Sequence, residues 1–182
     1  MKKILILLSA LLVFTGCASK EEKAEKKDLD KLENVGFTRE KAKAFYDFGN
    51  SSKIIFKEMD NINNNFDKNS ETISNEEYNK VSDAVESSKE AYKQLNPENV
   101  EEYFNFFVND PVSSPLLILK NMEKTGQKFT NIQAALVLNK MIPFAIKAVE
   151  ANNISGTKKD EALKWYNNNN NYVGSFRNVY EH

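Results

Sequence analysis

The sequence predicts an all-α protein: an antiparallel bundle of five to six helices behind a flexible N-terminal tether. Three observations predict it. Apolar residues recur at spacings of three and four from Phe45 onward, the period of a helix with one buried face. Ser or Thr is followed three residues later by Glu or Gln just before such stripes, the pattern of a capping box. No segment alternates with period two, and no Asn-Gly or Asp-Gly pair marks a hairpin. A chain of 182 residues allows one such domain plus appendages.

The first element is a targeting segment. Met1-Lys2-Lys3 is a short positive start, Ile4 to Phe14 is an apolar run, and Thr15-Gly16-Cys17 closes it. A run of that length is too short for a permanent helix across a ~30 Å hydrocarbon core, and the three parts together describe a secretory signal. Val13-Phe14-Thr15-Gly16-Cys17 resembles the lipobox of bacterial lipoproteins, with Phe14 standing where Leu is usual. The resemblance covers residues 1–17. It implies cleavage of a 1–16 signal peptide, a diacylglyceryl group on the Cys17 thiol and a location on the extracytoplasmic side of the cell membrane. Two acyl chains suffice for stable anchoring, at ~0.8 kcal/mol per buried CH₂. The Cys17 lipid is then the only group carried, with no further cofactor.

Residues 17–36 read as the lipidated cysteine and a charged tether. Five Lys and six acidic residues lie between Lys20 and Glu33, with Leu29 and Leu32 as the larger apolar groups. So little apolar area is expected not to offset the ordering entropy, leaving a tether that is at most transiently helical.

The helical domain then occupies 37–182. Thr38 caps a first helix whose stripe is Phe45, Phe48, Ser52, Ile55, Met59, Ile62 and Phe66, fading near Asn69. Ser74 and Glu77 form a capping box, with Ile73 and Tyr78 placed for a hydrophobic staple. That second helix carries Tyr78, Val81, Val85, Ser88, Tyr92 and Leu95. Asn96-Pro97 ends it, and Pro97 is placed to begin a third helix bearing Val100, Tyr103, Phe104, Phe107 and Val108. Ser114-Pro115 starts a fourth, which Gly126 stops. Thr130 and Gln133 open a fifth over about 131–151, apolar nearly all round and so expected at the centre, with a kink at Pro143. Thr157 and Asp160 open the last region. The run Asn167–Asn171 should interrupt it, giving two short helices or one with a weak centre.

Composition excludes several functions. Loss of Lys2 and Lys3 with the leader leaves 23 basic against 26 acidic residues, net −3. Nucleic-acid binding usually shows a basic excess, so none is expected, and no polybasic membrane patch stands out. The 24 asparagines and abundant Lys fit an AT-rich genome, and a low-GC Gram-positive bacterium. Cys17 is the sole cysteine and His182 the sole histidine, at the terminus, so His/Cys metal, haem and triad chemistry lack their parts. Glu76-Glu77, Glu101-Glu102 and Asp160-Glu161 point about 100° apart on a helix and do not converge on one substrate. Asp60–Asn65 lacks the central Gly and the twelfth-position Glu of a calcium loop.

No catalytic or metal residue is therefore expected, and no enzyme. The candidate partner surface is the aromatic tail: Trp165, Tyr172, Phe176, Arg177 and Tyr180, of the residue types that dominate binding hot spots. Trp165, one step off the Leu163/Tyr166 face, is expected to be the most exposed. The expected function is a non-enzymatic interaction domain that meets an extracytoplasmic protein or peptide. Immunity to a toxin, exclusion of a phage or plasmid, and envelope assembly are the roles weighed within it. The alternative is a solute-binding lipoprotein of a transport system, which would need a two-lobed α/β fold.

Overall fold

The computed structural model describes residues 19–66 and 72–170. Among them the chain is all-helical, with no strand. Seven helices follow in order: α1 (Lys20–Asn34), α2 (Arg39–Asn65), α3 (Asn75–Gln94), α4 (Val100–Asn109), α5 (Pro115–Thr125), α6 (Asn131–Ala151) and α7 (Gly156–Asn170).

The expected caps are present. The Glu77 N–H donates to Ser74 Oγ at 3.2 Å, and the Ser74 N–H to Glu77 Oε2 at 3.0 Å. The Thr130–Gln133 box closes at 3.3 and 2.8 Å. Thr38 caps α2, Ser114 caps α5, and Gly126 ends α5 in the left-handed region at φ 63°. Each satisfies backbone groups that a helix end leaves without partners.

Four local expectations are corrected. The first is the flexible tether. Residues 20–34 are helix α1, which opens with a capping box of its own, Ser19 with Glu22. Leu29, Leu32, Val35 and Phe37 are buried, so α1 docks on α2. Leu29, Leu32 and the C-cap Val35 sit three apart at its C-terminal end, and Phe37 follows just beyond the helix. Second, Pro97 does not begin a helix. Asn96 and Asn99 both adopt left-handed backbone, at φ 54° and 57°, and α4 starts only at Val100. Third, the asparagine run does not interrupt α7 over 167–170. Asn169 and Asn170 each donate a side-chain N–H to the carbonyl four residues back, Trp165 and Tyr166, at 2.9 Å. Their amides thus support the helix rather than compete with it. Asn171 and the second half of that expected region lie outside the described residues.

The fourth correction concerns the centre. The most apolar helix, α6, buries Ala134, Val137, Met141, Phe144, Ala145 and Val149 on one face. Ile132 on it remains 64% exposed, and Leu138 is half-buried. The helix that meets most others is α2, which packs against α1, α3, α5, α6 and α7. Lys41 near the start of α2 donates to the Gln94 carbonyl at the end of α3, so those two helices run antiparallel. Pro143 lies inside a continuous α6. By length and apolarity α6 is also the one described helix able to cross a membrane, with just under half of its apolar window, 44%, buried in the protein core.

The core is rich in rings. Tyr92, Phe104 and Phe144 join α3, α4 and α6, with centroids 5.4 Å apart for Tyr92–Phe104 and 4.8 Å for Phe104–Phe144. Phe48 bridges Tyr92 of α3 and Tyr166 of α7, each at 5.4 Å. Such pairs add about 0.5–1.5 kcal/mol beyond the area they bury.

Candidate functional site

Cys17, Tyr172, Phe176, Arg177 and Tyr180 lie outside the described residues. Of the expected partner surface, Trp165 is described, and it is more exposed than its neighbour Tyr166. It is half-buried, with its ring centroid 5.7 Å from Phe45 and 6.1 Å from Tyr46. The indole sits over Gly49, where an added Cβ would stand 3.1 Å from Trp165 Cζ3. A residue without a side chain on α2 therefore lets the ring of α7 close in. Nε1 is buried and has no hydrogen-bond partner among the described residues. The exposed edge of the ring lines a cleft of about 280 Å³ with Leu32 and Val35 of the α1 end and Glu161 of α7.

Beneath it lies the one strongly shifted group of the described core. Tyr166 is buried, and its hydroxyl donates to Ser52 Oγ at 3.0 Å, while Ser52 Oγ donates to the Phe48 carbonyl at 2.8 Å. Burial pushes the phenol well above its ordinary pKa, against the opposing pull of the Ser52 hydrogen bond. It stays protonated and is a structural strut between α7 and α2.

A second concavity runs along the seam of α2 and α3, about 870 Å³ and open to solvent. Its floor is made of small side chains, Ser51, Ala84 and Ala91, which let the two helices approach. Its walls carry Asp47, Glu58, Asp83, Glu86 and Glu90, with Lys80 as the basic residue among the lining side chains. Lys80 is paired with Glu76 at 2.9 Å, which holds that carboxyl below its usual range by hydrogen bond and charge. The groove was not legible from either helix alone, because each contributes one wall.

Among the described residues no three His, Cys, Asp or Glu side chains come together to hold a metal ion. Away from both concavities, Asp110 organises the α4–α5 turn. It accepts from Ser113 Oγ at 2.6 Å and the Val112 N–H at 3.1 Å, and pairs with Lys140 of α6 at 3.3 Å. The Ser113 and Val112 donors, then Lys140, hold its carboxyl below the usual range. No protein-family model, curated protein or solved structure matches the chain.

Proposed function

We propose that this chain is a bacterial lipoprotein, cut before Cys17 and held by lipid on the outer side of the cell membrane, whose helical domain is a non-enzymatic interaction module. One observation carries the reading. The only cysteine in the chain follows Val13-Phe14-Thr15-Gly16, at the one position where lipidation needs it. The architecture we infer for the domain is an antiparallel bundle, with its α2–α3 pair at the centre. An open groove, rather than an enclosed cavity, suits a protein or peptide partner better than a small solute. The Trp165 cleft, together with the tail residues Tyr172, Phe176, Arg177 and Tyr180, remains the proposed partner surface. The experiment is metabolic labelling with palmitate, followed by membrane fractionation. The wild-type chain is expected to label and sediment with membranes, and Cys17→Ser to lose the label. A labelled Cys17→Ser chain sinks the anchor. A pull-down with the wild-type domain that recovers no reproducible protein or peptide counts against the interaction module.

A further inference from the structure

Helix α1 holds nearly balanced charge in its composition, but not in its arrangement. Five of its six acidic side chains are engaged. Glu22 completes the N-terminal capping box, Glu25 pairs with Lys43 of α2 at 3.5 Å, Asp30 pairs with Arg39 at 3.0 Å, and Glu33 also meets Arg39. Asp28 pairs with Lys31 at 2.8 Å within the helix. Its lysines are arranged otherwise. Lys20, Lys23, Lys26 and Lys27 are exposed, and none of them joins an ion pair among the described residues. Lys20, Lys23 and Lys27 stand at spacings of three and four, so they share one face. That face is opposite the buried Leu29 and Leu32. Against these four lysines stand Glu21, the capping Glu22, and the one acid charge that a single Arg39, shared by Asp30 and Glu33, leaves unmatched.

The position of this face matters as much as its sign. Lys20 is three residues from Cys17. Even fully extended, three residues reach only about 10 Å. A lipid on Cys17 thus brings Lys20 to about one Debye length, ~8–10 Å, from the headgroups, and a helix lying along the surface carries Lys23 and Lys27 there with it. Docking of α1 on α2 removes the slack that a free tether would have supplied.

We propose that the outward face of α1 is a membrane-contact surface, seated through Lys20, Lys23 and Lys27 on anionic phospholipid headgroups. The proposal rests on the reading of Cys17 as the lipid anchor. Lysines close to an anionic surface are attracted to it, and the attraction falls with salt. Of the α1 acids, Glu25, Asp30 and Glu33 are engaged by Lys43 and Arg39 of α2, whereas Lys20, Lys23 and Lys27 have no such partner among the described residues.

The test uses the processed, lipid-bearing protein, reconstituted in vesicles of phosphatidylcholine alone or of phosphatidylcholine with a minority of phosphatidylglycerol. Lysine acylation is read residue by residue by mass spectrometry. Lys20, Lys23 and Lys27 should acylate about fivefold more slowly on the anionic vesicles at low salt. The difference should vanish at about 1 M salt, while exposed Lys57 and Lys124 acylate equally on both. Equal rates for the α1 lysines on the two surfaces overturn the proposal, as does protection spread evenly over Lys57 and Lys124. The mass of the N-terminal peptide tests the anchor separately. An unmodified Cys17 overturns the anchor reading, while the acylation pattern still decides whether α1 meets anionic lipid.

Discussion

The substitution Leu32→Ala separates a docked helix from a tether. Leu32 is fully buried under α1, and Leu29 beside it is nearly so. Truncation to Ala removes three carbons, about 2.4 kcal/mol at ~0.8 kcal/mol per buried CH₂. A residual cavity adds to this, and buried Leu→Ala changes span about 2–5 kcal/mol. An edge helix can settle into the space, so the lower part of that range applies, about 2.5–3.5 kcal/mol. The assay is urea unfolding followed by helical circular dichroism. With a slope of about 2 kcal/mol/M, the midpoint should fall by about 1–2 M. If α1 undocks before the rest melts, the global loss is smaller and the effect moves to local opening. Tryptic cleavage after Lys26, Lys27 and Lys31 should then rise roughly 70-fold, the equivalent of about 2.5 kcal/mol. Lys26→Ala, on the exposed side, is the control and should stay within about 0.5 kcal/mol. A Leu32→Ala chain with its midpoint unmoved and its cleavage rate within about twofold of wild type refutes the docking. Residues 20–36 would then be the loose tether their composition describes.

Two further outcomes test the core and the α4–α5 turn. Ser52→Ala leaves the Tyr166 hydroxyl buried without its acceptor and should cost about 1–3 kcal/mol. Tyr166→Phe in the same background should recover about 1 kcal/mol or more of that loss, so a double-mutant cycle by urea unfolding that comes out additive contradicts the strut. Asp110 has a depressed folded pKa, so its carboxylate adds stability that is fully present above the ordinary Asp value, ~3.9, and is lost as pH falls through the folded value. The stability gap between wild type and Asp110→Asn, read by thermal melts across pH, should be flat above about pH 5 and close below about pH 4. A gap that persists unchanged in acid contradicts that assignment.

Much of the fold was legible because helix signals are local. The Ser74–Glu77 and Thr130–Gln133 boxes, Gly126, and the stripe from Phe45 to Phe66 each depend on a few adjacent residues, and each appears where expected. What escaped depends on how residues are arranged rather than on how many there are. Counted by composition, 20–33 is a solvated charge run. Its Ser19–Glu22 box and its Leu29, Leu32, Val35 series are short, and the pairing of its acids with Arg39 and Lys43 exists only once α2 lies beside it. The seat of Trp165 was hidden for a related reason. A helical wheel ranks a residue by its own helix, whereas the gap that receives this indole is Gly49, more than a hundred positions earlier. The groove carries no motif at all, since its walls belong to two helices and its acids have no fixed spacing.

Hydropathy also misjudged which helix organises the rest. Helix α6 is the most apolar over its length, yet α2 is the one that five others touch. The difference lies in small residues. Ala42, Ala44, Gly49, Ser51 and Ser52 are all buried on α2. They let helices approach on several sides, and the two serines satisfy their hydroxyls on the Asp47 and Phe48 carbonyls of their own helix. Buried hydroxyls bonded in this way avoid most of the cost of an unmet polar group. At 27 residues α2 is also long enough to hold α1 and α7 along one part and α3 along nearly all of it. Its first turns then do a second job. Arg39 and Lys43 draw the acids of α1 toward the protein, and Glu33, then Asp30, hold the Arg39 guanidinium above its usual pKa. The same α2 that seats the core thereby decides which charges α1 turns outward. In this reading Arg39→Glu should both loosen α1 and release Asp30 and Glu33, eroding the lysine bias of the face without touching a lysine.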